Sequence, residues 1–237
     1  MAEEIFTVFS DLSLEFDKKY KGDPNFIQRM DLWSASIDKH VHPGDVVYDL
    51  GCGSGVFSFY AASKGARVTG IDGSEGMINL CNEKLAAAGR NQELNLRFVR
   101  EALPLKDTSP YPKADVILCS SMFEYILEKE QMIQCCNALL KDSGILLISV
   151  PNKKSVYRFL EKISYRIIGM PSYFKHVHNR YTEEELVMEF GKHGFVPGKK
   201  SYYANNYLFS GLLKSMLPES YSSNLLLVAF QKKNNSV

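Results

Sequence analysis

The chain has 237 residues, 45% of them hydrophobic and 23% charged, and its 28 Lys and Arg balance 27 Asp and Glu to a formal net charge of +1. Such proportions belong to an ordinary folded domain and exclude disordered, collagen-like and low-complexity readings. A nearly neutral chain is also not built to coat nucleic-acid phosphates, so no nucleic-acid partner is expected.

Residues 1–42 carry apolar positions at helical spacing, Phe6, Phe9, Leu12 and Phe16 among them, and predict an N-terminal helical cap. The opening residues lack a charged-then-apolar leader pattern, and no apolar run approaches the roughly 18 residues of a membrane span. A cytoplasmic protein is the expectation. Pro43-Gly44 marks a turn into a core spanning 43–152, where short β-branched runs alternate with helical stretches. Asp45–Leu50, Arg67–Asp72, Asn95–Arg100, Asp115–Ser120 and Gly144–Val150 read as its strands. Residues 153–181 form a basic amphipathic insertion, expected as a lid. Residues 182–237 then hold a helix opened by the capping box of Thr182 and Glu185, and two further strands, Phe195–Ser201 and Leu225–Gln231. Between those two strands an apolar and aromatic segment, 202–218, is expected to wall an acceptor pocket together with the insertion. The cysteines at 52, 81, 119, 135 and 136 are odd in number, and three lie in apolar runs. That pattern supports neither a disulfide framework nor a metal cluster.

The chemistry concentrates in VVYDLGCGSG, residues 46–55, where a buried strand enters Gly51, Gly53 and Gly55 and then a helix. Glycine lets a ligand approach the backbone, and the helix start offers free N–H groups. Asp72 closes the second strand, where a carboxylate accepts hydrogen bonds from ribose hydroxyls. Together these features imply an adenosine-type cofactor. The dinucleotide fingerprint requires a glycine where Val56 stands, and Asp49 puts negative charge where a pyrophosphate would sit. A nicotinamide-dependent oxidoreductase is therefore the weaker alternative. S-adenosylmethionine, with its ammonium and sulfonium, suits the acid better.

Asp49-Leu-Gly-Cys-Gly-Ser-Gly55 with Asp72, followed by Phe98-Val-Arg-Glu-Ala-Leu-Pro104 and by Leu139-Leu-Lys-Asp-Ser-Gly144, resembles the class I S-adenosylmethionine-dependent methyltransferases over roughly residues 40–195. SSMFEYI (120–126), ISVPN (148–152) and HNRYTEEEL (178–186) resemble most the branch with the ubiquinone-biosynthesis O-methyltransferases and many small-molecule enzymes. The resemblance implies a doubly wound, Rossmann-like α/β fold with a seven-stranded, mostly parallel sheet. It implies that Asp49, Gly51, Cys52 and Gly53 hold the amino-acid end of the cofactor, and that Asp72, Gly73 and Ser74 lie at the ribose. Glu101 and Ala102 would then sit by the adenine, with Tyr20 and Ser120 lining the site. Where relatives often have histidine after the fourth-strand glutamate, this chain has Tyr125.

The implied reaction is methyl transfer to a small-molecule acceptor, with oxygen favoured; a module that binds the cofactor without turnover is a further alternative. For a hydroxyl acceptor a base is needed, and His176, His178, Tyr125 and Tyr20 are its candidates. Residues 153–180 carry seven Lys and Arg against Glu161 alone. Within 153–168 the cations recur every four residues beside an apolar face of Val156, Leu160, Ile163 and Ile167. Three uses compete for this segment: a solvated lid, a cover that attracts an anionic acceptor, and a helix resting on acidic lipid.

Overall fold

A computed structural model of the chain describes residues 2–88, 94–169, 172–207 and 210–234. Three helices come first, α1 (Ala2–Asp11), α2 (Ser13–Lys19) and α3 (Pro24–His40). The last is started by Asp23, whose carboxylate accepts the N–H groups of Asn25 and Phe26, with Pro24 at the first helical position. Strands β1 (Val46–Leu50), β2 (Arg67–Asp72), β3 (Leu96–Arg100) and β4 (Ala114–Ser120) follow, interleaved with α4 (Val56–Ser63) and α5 (Glu75–Ala88). Next come α6 (Lys129–Leu139), β5 (Leu140–Pro151), α7 (Val156–Ile168), α8 (Glu183–Gly191), β6 (Phe195–Tyr203), α9 (Ser210–Met216), α10 (Glu219–Ser222) and β7 (Leu225–Lys232).

The sheet runs β3-β2-β1-β4-β5-β7-β6. Strands β1 to β5 pair in parallel, and β7 enters antiparallel between β5 and β6. This is the doubly wound, mostly parallel α/β sheet expected. Alternation along β1 sorts its side chains to two cores. Val46, Tyr48 and Leu50 join Ile71, Ile117, Phe190 and Phe230 on one face, and Val47 joins Trp33, Ile37, Phe57 and Ala61 on the other. Strand order reverses between β1 and β4, and in open α/β sheets ligands bind outside the carboxyl ends of the strands at such a reversal.

One strand is longer than its sequence pattern. β5 begins at Leu140 rather than Gly144, because Leu140 pairs with Ala114 before an irregularity in register. The exposed Lys141-Asp142-Ser143 masks this in the sequence, and Ser143 takes a positive φ of 61°. The capping box of α8 forms as expected: Thr182 Oγ1 accepts from the Glu185 N–H at 3.2 Å, and Glu185 accepts the Thr182 N–H at 2.9 Å. Among the described residues, no helix is long and apolar enough to cross a membrane.

Candidate functional site

At the reversal point the carboxyl ends of β1, β2 and β4 open into a cavity of about 370 Å3. The glycine turn forms its floor. Gly51 and Gly53 have φ of +71° and +52°, in the left-handed region, and a side chain on Gly51 would strike Met122. The turn is held from behind, since the N–H groups of Gly51 and Cys52 both donate to the Ile71 carbonyl. Lys84 reaches from α5 to the Ser54 carbonyl and to Asp17 of α2, at 2.8 and 2.7 Å.

Asp72 is half-buried. One of its carboxylate oxygens accepts the Gly53 N–H at 2.9 Å, the other the Ser74 N–H at 2.8 Å, and burial raises its pKa. Each oxygen keeps a lone pair for a further donor. Asp49 is 1% exposed. Its Oδ2 accepts the Ser58 hydroxyl at 2.6 Å, whereas its Oδ1 has no partner among the described residues, and burial pushes the carboxyl up to about 6.

Opposite in charge stands Arg29 of α3. It is buried, donates from Nη2 to the Ser120 carbonyl and hydroxyl at 3.1 and 2.7 Å, and lies over the Phe57 ring. Its Nε has no partner among the described residues. Arg29, Asp49 and Ser120 all line the cavity. Asp49 and Arg29, of opposite charge, each thus keep one buried atom able to take a further hydrogen bond.

The other end of the cavity is apolar. Ile5, Phe6 and Phe9 of α1 meet Leu103, Met122, Tyr125 and Ile126 there, and the rings of Phe9 and Tyr125 pack edge to face at 5.2 Å. His176, in the short turn Ser172–His176, is 8% exposed, lines the cavity and has an Nε2 without a partner among the described residues. Burial, and then neighbouring Lys175, lower its pKa. His178 also reaches the cavity, but it is exposed, and its backbone N–H donates to the Glu124 carbonyl.

A methyltransferase-domain family model matches residues 48–146. Over 110 residues the chain is 32% identical to the ubiquinone biosynthesis O-methyltransferase of Actinobacillus pleuropneumoniae serotype 7 (strain AP76), covering 46% of this chain and 47% of that protein. The corresponding protein of Coxiella burnetii is 33% identical over 110 residues, covering 46% and 45%. Residues 48–146 are thus similar to methyltransferase domains. The chain spans about half the length of the curated relatives it matches. Its fold is shared with the magnesium protoporphyrin IX methyltransferase of Synechocystis PCC 6803, solved with bound S-adenosylhomocysteine. That similarity has a TM-score of 0.68 at 19% identity, over 96% of this chain and 99% of that one. The 1,6-didemethyltoxoflavin-N1-methyltransferase of Burkholderia thailandensis has the same fold, with a TM-score of 0.66 at 17% identity over 97% and 88%.

Of the residues singled out in the sequence, Tyr20, Asp49, Gly51, Cys52, Gly53, Asp72, Gly73, Ser120, Tyr125, His176 and His178 line this cavity. Ser74, Glu101 and Ala102 do not. The Ser74 hydroxyl is engaged with Ser10 of α1 at 2.8 Å, and Glu101 accepts the Tyr111 hydroxyl at 2.6 Å while its N–H donates to the Asp72 carbonyl. The 202–218 segment, expected to wall the pocket, contributes none of its described residues to it. It is tied back to α3 instead: Gln28 accepts the Ala204 N–H at 3.0 Å, and Asn25 accepts the Asn206 N–H at 2.8 Å. Residues 208–209 of that segment lie outside the described residues. Sequence reading missed Arg29. Its signal was present, since Arg29, Trp33 and Ile37 recur every four residues on the buried stripe of α3, and an arginine on such a stripe needs a partner.

Proposed function

We propose that the chain is an S-adenosylmethionine-dependent methyltransferase acting on a hydroxyl of a small, largely apolar acceptor. The observation that carries this reading is that Asp49 and Arg29, of opposite charge, both line one cavity and each keep a buried unpaired atom, Oδ1 and Nε. They complement the amino-acid end of that cofactor, and Asp72 retains lone pairs for its ribose hydroxyls. A nicotinamide dinucleotide would set its pyrophosphate against the carboxylate of Asp49 and is not favoured.

When bound, the cofactor supplies an electrophilic methyl group on a sulfonium. The chain's own residues do the rest. Asp49 and Arg29 fix one end, and Gly51 and Gly53 allow close approach. Phe6, Phe9, Met122 and Ile126 exclude water and orient the acceptor in the apolar end. His176 takes the hydroxyl proton at Nε2, its lowered pKa keeping the imidazole neutral at pH 7. The names of the sequence relatives support oxygen as the methylated atom.

Calorimetric titration with S-adenosylhomocysteine and, separately, NADH tests the cofactor. Heat from the first and none from the second is expected. Transfer of label from S-adenosylmethionine to a panel of phenolic acceptors tests the reaction. His176→Ala should lose turnover by at least about a hundredfold while keeping cofactor affinity, and His178→Ala should change it little. Uptake of NADH alone would remove the reading.

A further inference from the structure

Helix α7 is amphipathic in the wrong direction for a core helix. Its packed side is polar and aromatic. Tyr157 is buried and stacks toward Tyr207 at 4.5 Å, Arg158 pairs with Glu161 at 2.7 Å and reaches the Asn224 carbonyl, and Tyr165 packs on Phe174 at 5.1 Å. Ser155, at its start, donates to Asn224 at 2.6 Å. These contacts fix the rotation of the helix, so its apolar stripe faces outward. Phe159 is 62% exposed, Leu160 53%, Ile163 40% and Ile167 74%. A stripe of this kind on a surface calls for a partner.

Charge identifies that partner. Most cations of the region are already engaged: Lys153 with Glu185, Lys154 with Glu184, and Lys175 with Glu4. Lys162 and Arg166, four residues apart on the border of the stripe, are exposed and have no acidic partner among the described residues. Apolar side chains flanked by free cations match the boundary between acyl chains and anionic headgroups. Thirteen residues give a helix about 20 Å long. One face of that length falls far short of the roughly 800 Å2 per partner of a stable protein interface. Beyond α10, which touches α7, helix α9 exposes Leu212 and Met216 beside Lys214.

We infer that α7 is a docking helix for an anionic phospholipid bilayer, lying in the interfacial plane with Phe159, Ile163 and Ile167 inserted and Lys162 and Arg166 at the headgroups. The inference does not depend on the proposed methyl transfer. The bound helix sits next to the cavity, because α7 packs on the Ser172–His176 turn that brings His176 to its wall.

Co-sedimentation of the full chain with phosphatidylglycerol-containing vesicles, and with phosphatidylcholine vesicles alone, tests it. The protein should pellet with the anionic vesicles at low salt and be released at high salt. Phe159→Gln/Ile167→Gln should lower partitioning at least about tenfold. Lys162→Gln/Arg166→Gln should lower it by roughly ten- to thirtyfold and abolish the preference for anionic lipid. All four side chains are solvent-facing, so both variants should keep the melting temperature and the S-adenosylhomocysteine affinity of the parent, which separates this result from any failure of the cofactor reading. Parent protein left in the supernatant at low salt overturns the proposal, as does equal pelleting of Phe159→Gln/Ile167→Gln. A parent dimer in light scattering that this variant converts to monomer would assign the stripe to a second copy and equally overturn it.

Discussion

The Asp49 carboxyl is buried on β1 with Oδ2 bonded to Ser58 and Oδ1 bonded to nothing among the described residues, and burial pushes it up to about 6. An acid whose folded pKa lies above its ordinary 3.8 contributes stability that is full below about 4 and is lost as pH rises through about 6. The ligand-free protein should therefore become less stable between pH 4 and 6 on this account. Asp49→Asn should be more stable than the parent at pH 7, by about 2 kcal/mol, with the gain vanishing near pH 4. Binding runs the other way. An ammonium needs the ionised acid, so S-adenosylhomocysteine affinity should drop as pH falls through about 6, and Asp49→Asn should lose about ten- to a hundredfold at pH 7. Urea unfolding and calorimetry at both pH values check the pair of signs; a variant less stable at pH 7 with full affinity would contradict both. His176 supplies a second pH test. With its pKa lowered by burial and by Lys175, turnover should decline only below the ordinary imidazole value of 6.5, and that limb should disappear in His176→Gln together with most of the rate.

At the scale of elements, the seven strands are legible because most are short apolar runs between turn residues, and their observed bounds differ little except where β5 starts early. The orientation of α7 is not legible. Its periodicity reveals two faces, but only the contacts of Tyr157, Arg158 and Tyr165 decide which one packs. Helix α1 is likewise visible as a helix, whereas its place over the Gly73 corner of the cavity is not. A Cβ on Gly73 would lie 2.3 Å from the Phe6 ring, and Ser10 Oγ bonds Ser74 and accepts the Gly76 N–H at 3.1 Å. Gly73→Ala should therefore push the ring off the corner while sparing the sheet. S-adenosylhomocysteine affinity should fall about tenfold, and the amides of α1 should exchange faster. Unchanged protection across α1 would show that the helix does not depend on this contact. Thr182→Ala, which removes half of the α8 capping box, should cost about 1 kcal/mol in urea unfolding and leave cofactor affinity alone.

Across the whole molecule, one sheet collects the site from residues far apart in the chain: Arg29 from α3, Asp49 from the end of β1, Asp72 from β2, Ser120 from β4 and His176 from beyond β5. The glycine turn and Asp72 could be read from sequence because each is a local signal at a strand end. Arg29 shows in the sequence only as a charge on the buried stripe of α3 that needs a partner; that the partner is Ser120 depends on the tertiary meeting of α3 with β4. Since ligand contacts then tie together elements from both halves of the chain, binding should stabilise the fold as a unit. At a hundredfold excess of S-adenosylhomocysteine over its Kd, mass action adds about 2.7 kcal/mol. For a domain of this size that corresponds to a rise in melting temperature of roughly 5–10 °C. Asp49→Asn and Arg29→Ala should lose most of the rise at the same ligand concentration, and NADH should produce none. Scanning calorimetry of the three proteins with and without each ligand checks this. A rise that survives in both variants would place the ligand away from Asp49 and Arg29, even if the protein still binds it.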